Sequence, residues 1–226
     1  MKATSVEMGL PAAPAANVGL DYPALLRFVG DLAARAIIVV LFSIMAIRFG
    51  SDFINTGRLT GLFLLASEAL VVVLTVFRRS AVSVDRSFKA RVLTAVSIMG
   101  PPLLAPAAVA PLAAEGITVA LSCAGLAVVI AGKITLGRSF ALLPANRGVV
   151  STGLYKLVRH PIYMGYLVTH VAFLIASPSL WNIVALVAAD AALLVRAVCE
   201  EETLAKDPAY RDYQTRVRWR VAPGIF

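Results

Sequence analysis

The sequence predicts an all-α fold: a polytopic integral membrane helical bundle of about six transmembrane helices that ends in a C-terminal helical hairpin. Two observations predict it. Of the 226 residues, 59% are hydrophobic and only 15% are charged, with a mean hydropathy of +0.83. Ordinary soluble domains are roughly 45–50% apolar and about 25% charged. A water-soluble core of this length cannot hide so much apolar side chain, so lipid is the solvent for most of it. The apolar residues, moreover, fall into segments near the roughly 20 residues needed to cross a bilayer core. The polar stretches between them gather most of the Lys and Arg.

Residues 1–31 form an N-terminal tail and interfacial segment, rich in Ala and Pro and without the continuous apolar core of a secretory signal. Asp21-Tyr22-Pro23 reads as a helix start, with Asp21 as cap and Pro23 in the first turn. Residues 32–136 carry four spans: Leu32 to Phe49, Thr60 to Phe77, Val92 to about Leu112, and Ile117 to Leu136. The third contains Pro101, Pro102, Pro106 and Pro111, which implies a bent or broken helix, or even a re-entrant one. Residues 137–226 hold the chemistry. There Ile162 to Ser177 and Leu180 to Val198 are two apolar segments separated by Pro178-Ser179, a break tight enough for an antiparallel hairpin. From Glu200 onward the chain is charged and leaves the membrane.

The net charge of +8 would suggest nucleic acid in a soluble protein; here it suits anionic headgroups and an orientation signal, with no nucleic-acid partner. Basic residues cluster in three places: Arg78, Arg79, Arg86, Lys89 and Arg91; Lys133, Arg138, Arg147, Lys156 and Arg159; and Lys206, Arg211, Arg216, Arg218 and Arg220. Six spans put all three on one side, which is then the cytoplasm, with both termini inside. Cys123 and Cys199 make no disulfide or metal pattern and read as small buried hydrophobes; no metal site is expected.

The polar stretch Ser151 to Tyr166, S-T-G-L-Y-K-L-V-R-H-P-I-Y-M-G-Y, lies between apolar segments. Pro161 disfavours helix at His160, so the chain turns there and a helix starts just after, its first-turn N–H groups facing the loop beside Arg159 and His160. Tyr163 falls in that first turn, and Gly165 thins the helix for a close approach. Taken singly, Lys156 and Arg159 could snorkel to phosphates and the tyrosines form an interfacial belt. Taken together at this spacing they favour a ligand site. Glu200-Glu201-Glu202 places acids at a helix C-terminus, where the dipole repels them, which points to an external partner. The plainer alternative is a solvated helix end with Arg196 paired to Glu200. The antiparallel hairpin returns these acids to the face that holds His160 and Tyr163. Tyr210, Tyr213 and the run Arg216 to Arg220 would either lie on headgroups or fold over the mouth. Inside the membrane, Glu68 and Asp190 should face the bundle interior, and the hairpin should bring His170 to a hydrogen bond with Asp190.

These blocks resemble those of the isoprenylcysteine carboxyl methyltransferase and membrane phospholipid methyltransferase family. They are G-x-Y-x-x-x-R-H-P-x-Y-x-G from Gly153 to Gly165, E-E-x-x-L from Glu200 to Leu204, Tyr210 and Tyr213, and the basic stretch Arg216 to Pro223. Leu136-Gly137-Arg138-Ser139-Phe140 resembles the segment that precedes the motif, and the likeness covers roughly the last 90–100 residues. It implies S-adenosylmethionine as cofactor, held in a cytosolic pocket between the last two helices and the tail. It assigns cofactor contact to Tyr155, His160, Pro161, Tyr163, Gly165, Glu200 and Glu201, with Tyr213 covering the site, and catalytic or substrate roles to Arg159, Glu201 and Arg216. It implies a lipid or prenylated hydrophobic acceptor and a bacterial inner-membrane location. Two other classes compete: an NADPH-dependent membrane reductase of the sterol-reductase type, and a non-enzymatic lipid-binding membrane protein.

Overall fold

A computed structural model describes residues 22–77, 83–84, 87–139, 145–146 and 148–226. The expectations for the Asp21 cap, Arg78, Arg79, Arg86, Phe140 and Arg147 lie outside the described residues. The chain divides into two compact units, Met1–Ile38 and Val39–Phe226, and the second holds every contact discussed below. The described residues form seven α-helices: α1 Tyr22–Thr56, α2 Thr60–Phe77, α3 Phe88–Leu103, α4 Glu115–Leu136, α5 Pro161–Ala176, α6 Leu180–Leu204 and α7 Pro208–Arg216. Short 3-10 turns occupy Gly137–Ser139 and Gly153–Lys156, and a two-residue antiparallel pair joins β1 (Ser83–Val84) to β2 (Ala145–Asn146).

Three helices among the described residues are long and apolar enough to cross a membrane, over Val39–Thr56, Glu115–Leu136 and Leu180–Leu204. Helix α5 is apolar but has 16 residues. At 1.5 Å per residue it spans about 24 Å, short of the roughly 30 Å hydrocarbon core. The expectation of about six crossings therefore has three helices of spanning length behind it.

The third expected span needs correction. Helix α3 stops at Leu103, and residues 104–114 are not helical. Pro106 and Pro111 lack an N–H and their rings obstruct the preceding turn, so the helix cannot continue through them. The freed backbone finds partners at the α5–α6 turn. The wholly buried Asn182 accepts from Ala105 N–H at 3.2 Å and donates to the Ala105 carbonyl at 2.9 Å. Trp181 donates its indole N–H to Leu103 O at 2.8 Å, and Leu112 N–H donates to Ile175 O at 2.9 Å. Irregular backbone at membrane depth is tolerated where protein groups satisfy it in this way.

The α5–α6 hairpin forms as expected, broken at Pro178 and restarted by Ser179, whose hydroxyl caps α6 by accepting from Asn182 N–H at 3.2 Å. Helix α4 lies against α5 through a reciprocal glycine contact. A Cβ on Gly125 would sit 2.8 Å from Gly165 O, and one on Gly165 would sit 2.7 Å from Gly125 O. Only glycine lets the backbones approach so closely, as is common between membrane helices. Helix α3 meets α6 in the same way, where a Cβ on Gly100 would collide with Ala189. Apolar side chains such as Ile47, Ile54, Ile134, Val171 and Val187 remain exposed on the outside, a surface suited to lipid.

Candidate functional site

The motif loop is held by the C-terminal tail. Gly153 adopts φ 55°, a left-handed conformation that glycine takes without strain, and opens the 3-10 turn carrying Tyr155. Val158 then bridges Trp219 in parallel. Arg159 N–H donates to Trp219 O at 2.9 Å, and His160 N–H donates to Arg220 O at 2.7 Å. His160 is outside the helical region, at φ −127° and ψ 62°, and Pro161 occupies the first turn of α5.

At the C-terminal end of α6, the two glutamates flank His160, whose Nδ1 lies 3.8 Å from Glu200 Oε2, and otherwise face different partners. Glu201 is buried and accepts from Arg159 Nε at 2.8 Å and Arg159 Nη2 at 3.2 Å, a bidentate pair. Arg220 Nε donates to its other face at 3.0 Å, Gln214 Nε2 at 3.4 Å, and His160 Nε2 lies 3.2 Å from Oε1. Arg159 Nη1 also donates to Val217 O at 3.0 Å. Glu201 is thus the clip that ties motif loop, α6 and tail together. Glu200 accepts the Tyr163 hydroxyl at 2.7 Å and lines a cavity.

That cavity encloses about 1100 Å³, its open mouth included, within the size of ligand pockets. Its upper walls are Tyr155, Tyr163, Tyr210, Tyr213, His160 and Glu200, and Arg159 and Arg196 also face it. The His160 ring stacks on Tyr163 with centroids 5.2 Å apart, and the Arg196 guanidinium lies 5.6 Å over the other partner of that stack, the Tyr163 ring. Tyr213 donates its hydroxyl to Tyr155 O at 2.7 Å, which lays α7 across the cavity. Burial pushes the phenols of Tyr155 and Tyr210 well above their ordinary range and that of Tyr213 up to about 12, against the opposing pull of Arg159 on the last two. All three stay neutral at physiological pH. Deeper, the wall includes Ser97, Glu68, Tyr166 and His170. The expected pair is there: His170 Nδ1 lies 2.6 Å from Asp190 Oδ1.

Of the residues expected at the site, Tyr155, Arg159, His160, Tyr163, Glu200 and Tyr213 meet at the cavity. Others do not join them. Gly165 faces α4, where its missing side chain lets the two helices pack. Pro161 is buried at the start of α5 and outside the cavity wall. Glu201 is spent on its ring of donors. Arg216 is 60% exposed and pairs with Asp212 at 2.9 Å on α7. In the tail, α7 ends at Arg216, and the following residues run beside the motif loop. Sequence reading missed Arg196 as a wall of the cavity and Arg220 as a second cation on Glu201. The signal for Arg196 was its spacing, one helical turn before Glu200 on the same face of α6.

No curated protein matches the chain. Residues 117–206, which hold α4, the motif loop, the hairpin and both glutamates, match the family model of the isoprenylcysteine carboxyl methyltransferase (ICMT) family, the family that the motif resembles.

Proposed function

We propose that this protein is an integral membrane methyltransferase that uses S-adenosylmethionine to methylate a hydrophobic or lipid-like acceptor. The observation that carries this reading is the upper part of the cavity, where α5 begins and α6 ends, walled by Tyr155, Tyr163, Tyr210, Tyr213 and Glu200 and roofed by α7. The chemistry of these groups fits the cofactor. Its sulfonium is a cation, and aromatic faces with a nearby carboxylate attract a cation. Its amino-acid carboxylate suits His160 and the N-terminus of α5. Glu200 is the acid positioned to meet its ammonium or ribose hydroxyls. When bound, S-adenosylmethionine supplies an electrophilic methyl group.

The chain's own residues then position and dry the reaction, which in-line transfer needs more than acid–base chemistry. Tyr155, Tyr210 and Tyr213 stay protonated and close the cavity toward water. Arg159 uses three of its five N–H donors on Glu201 and Val217, leaving two for an anionic group on the acceptor. Glu201 acts through Arg159 and His160 as a positioning residue. The acceptor enters from the bilayer, and the mouth faces the cytoplasm with the basic residues of the loop and tail.

The test is calorimetric titration of S-adenosylhomocysteine into the detergent-purified protein, with NADPH in parallel. Binding of S-adenosylhomocysteine that is lost in Glu200→Ala and Tyr163→Ala supports the methyltransferase. Binding of NADPH alone would move the protein to the reductase class, and binding of neither by folded protein would leave a lipid-binding role.

A further inference from the structure

The lower end of the cavity is not apolar, and the motif does not account for it. His160 and His170 sit at opposite ends of the cavity wall along α5. Ten residues of helix separate them, about 15 Å. The His170–Asp190 contact of 2.6 Å turns Nδ1 to the carboxylate, and in the neutral tautomer that donates through Nδ1 the acceptor is Nε2. His170 is 3% exposed, and Nε2 has no hydrogen-bond partner among the described residues. Ser97, also in the wall, donates its hydroxyl to Thr94 O at 3.0 Å, which leaves its oxygen as an acceptor. The third polar group there is the buried Glu68 carboxyl, within electrostatic reach of His170, Lys133 and Asp190. Lys133, outside the wall, lies 5.1 Å over the Tyr166 ring, and Arg196, within it, lies 5.6 Å over the Tyr163 ring.

The imidazole nitrogen in that tautomer and the serine oxygen are acceptors that ask for a donor. A hydrocarbon end placed there would leave the imidazole nitrogen and the serine oxygen without partners and away from water, which is unfavourable. We propose that the Glu68–Ser97–His170 floor is a subsite for a hydrogen-bond-donating group, a hydroxyl or an amine, carried at the far end of an otherwise apolar acceptor. The acceptor is then a two-ended amphiphile, with the atom to be methylated at the mouth and a donor roughly 15 Å below it. A plain prenyl or alkyl tail does not meet this description. The inference deepens the proposed function and rests on its reading of the cavity as the acceptor pocket.

The test uses the full chain in detergent and three saturated fatty acids of one chain length, ending in a methyl, a hydroxyl or an amino group. Calorimetry reads their affinities with and without S-adenosylhomocysteine. The wild-type protein should bind the hydroxyl- or amino-ended acid about tenfold more tightly than the methyl-ended one, the factor one satisfied hydrogen bond provides. A hydroxyl preference marks a neutral donor and an amino preference a cationic one. The preference should vanish in His170→Phe, and in the double variant His170→Phe with Asp190→Asn, which leaves no carboxylate unpaired. Equal affinities for the three acids in wild type, or a preference that survives both variants, would overturn the proposal. Failure of S-adenosylhomocysteine to bind the same sample would count against the proposed function alone, because the choice between tails is read without it.

Discussion

Glu201→Gln isolates the clip that holds loop to tail. The substitution keeps the shape of the side chain and removes its charge. Arg159, 9% exposed, then faces an amide that can accept one of its two bonds but carries no compensating charge. Breaking a buried ion pair by removing one partner costs about 3–5 kcal/mol, and the retained acceptor puts this case near 3. Arg220 adds little, since its side chain is 36% exposed and pairs of that kind contribute about 0–1 kcal/mol. For a chain of this size, 3 kcal/mol lowers the melting temperature by roughly 6–12 °C. The change should also loosen the tail, because Arg159 and His160 bond Trp219 and Arg220 through the same loop. Limited trypsin digestion should therefore cut the 216–220 run faster in Glu201→Gln than in wild type. Glu200→Gln should leave melting and digestion near wild type and weaken S-adenosylhomocysteine binding instead. Unchanged melting and digestion in Glu201→Gln would refute the clip, and a matching loss of stability in Glu200→Gln would refute the division between the two acids.

Three further outcomes follow from the same geometry. Gly165→Ala drives a Cβ to 2.7 Å from Gly125 O and 2.9 Å from Val129 N, backbone that cannot step aside, so it should destabilise by about 1–3 kcal/mol in a melting experiment. Arg216→Ala, which breaks only an exposed pair with Asp212, should change melting by less than about 0.5 kcal/mol and leave ligand binding intact. Tyr213 has its folded phenol raised to about 12, above the ordinary value of 10.0. Its contribution to tail closure is therefore complete below pH 10 and is lost as pH rises through about 12. Protease sensitivity of the tail should rise over that window in wild type, whereas Tyr213→Phe should be sensitive already at neutral pH, having lost its bond to Tyr155 O.

Much of this arrangement is legible in the residues because each signal is local. Pro161 keeps His160 out of the helix and sets the start of α5, and the Pro178-Ser179 break dictates the hairpin that returns Glu200 to Tyr163 and Asp190 to His170. Helix periodicity carries those pairings. What the residues do not show is tertiary. Gly165 reads equally as room for a ligand or for a helix, and only the position of Gly125 on α4 decides it. Arg216 belongs to the same basic run as Arg220, yet the turn out of α7 sends one to solvent and the other to Glu201. The prolines announce the break after α3, but not that Asn182, 77 residues distant, satisfies the freed Ala105.

The adjacency of Glu200 and Glu201 explains how one helix end can serve both membrane and lid. Successive residues on an α-helix point about 100° apart. Two acids in a row therefore face different ways: one turns to the cavity and the other to the loop and tail, with His160 between them, its Nδ1 3.8 Å from Glu200 and its Nε2 3.2 Å from Glu201. The repulsion of two carboxylates at the negative end of a helix dipole is offset by different cations, Arg159 and Arg220 for Glu201, with Arg196 beside the Tyr163 that Glu200 holds. The consequence is coupling. A ligand that takes up the Glu200 carboxylate acts one residue from the carboxylate that fixes the lid, and the rigid helix between them leaves no slack. Binding at the mouth should therefore tighten the tail, which protection of the 216–220 run from trypsin by S-adenosylhomocysteine would report, and Glu201→Gln should abolish that protection even where binding persists.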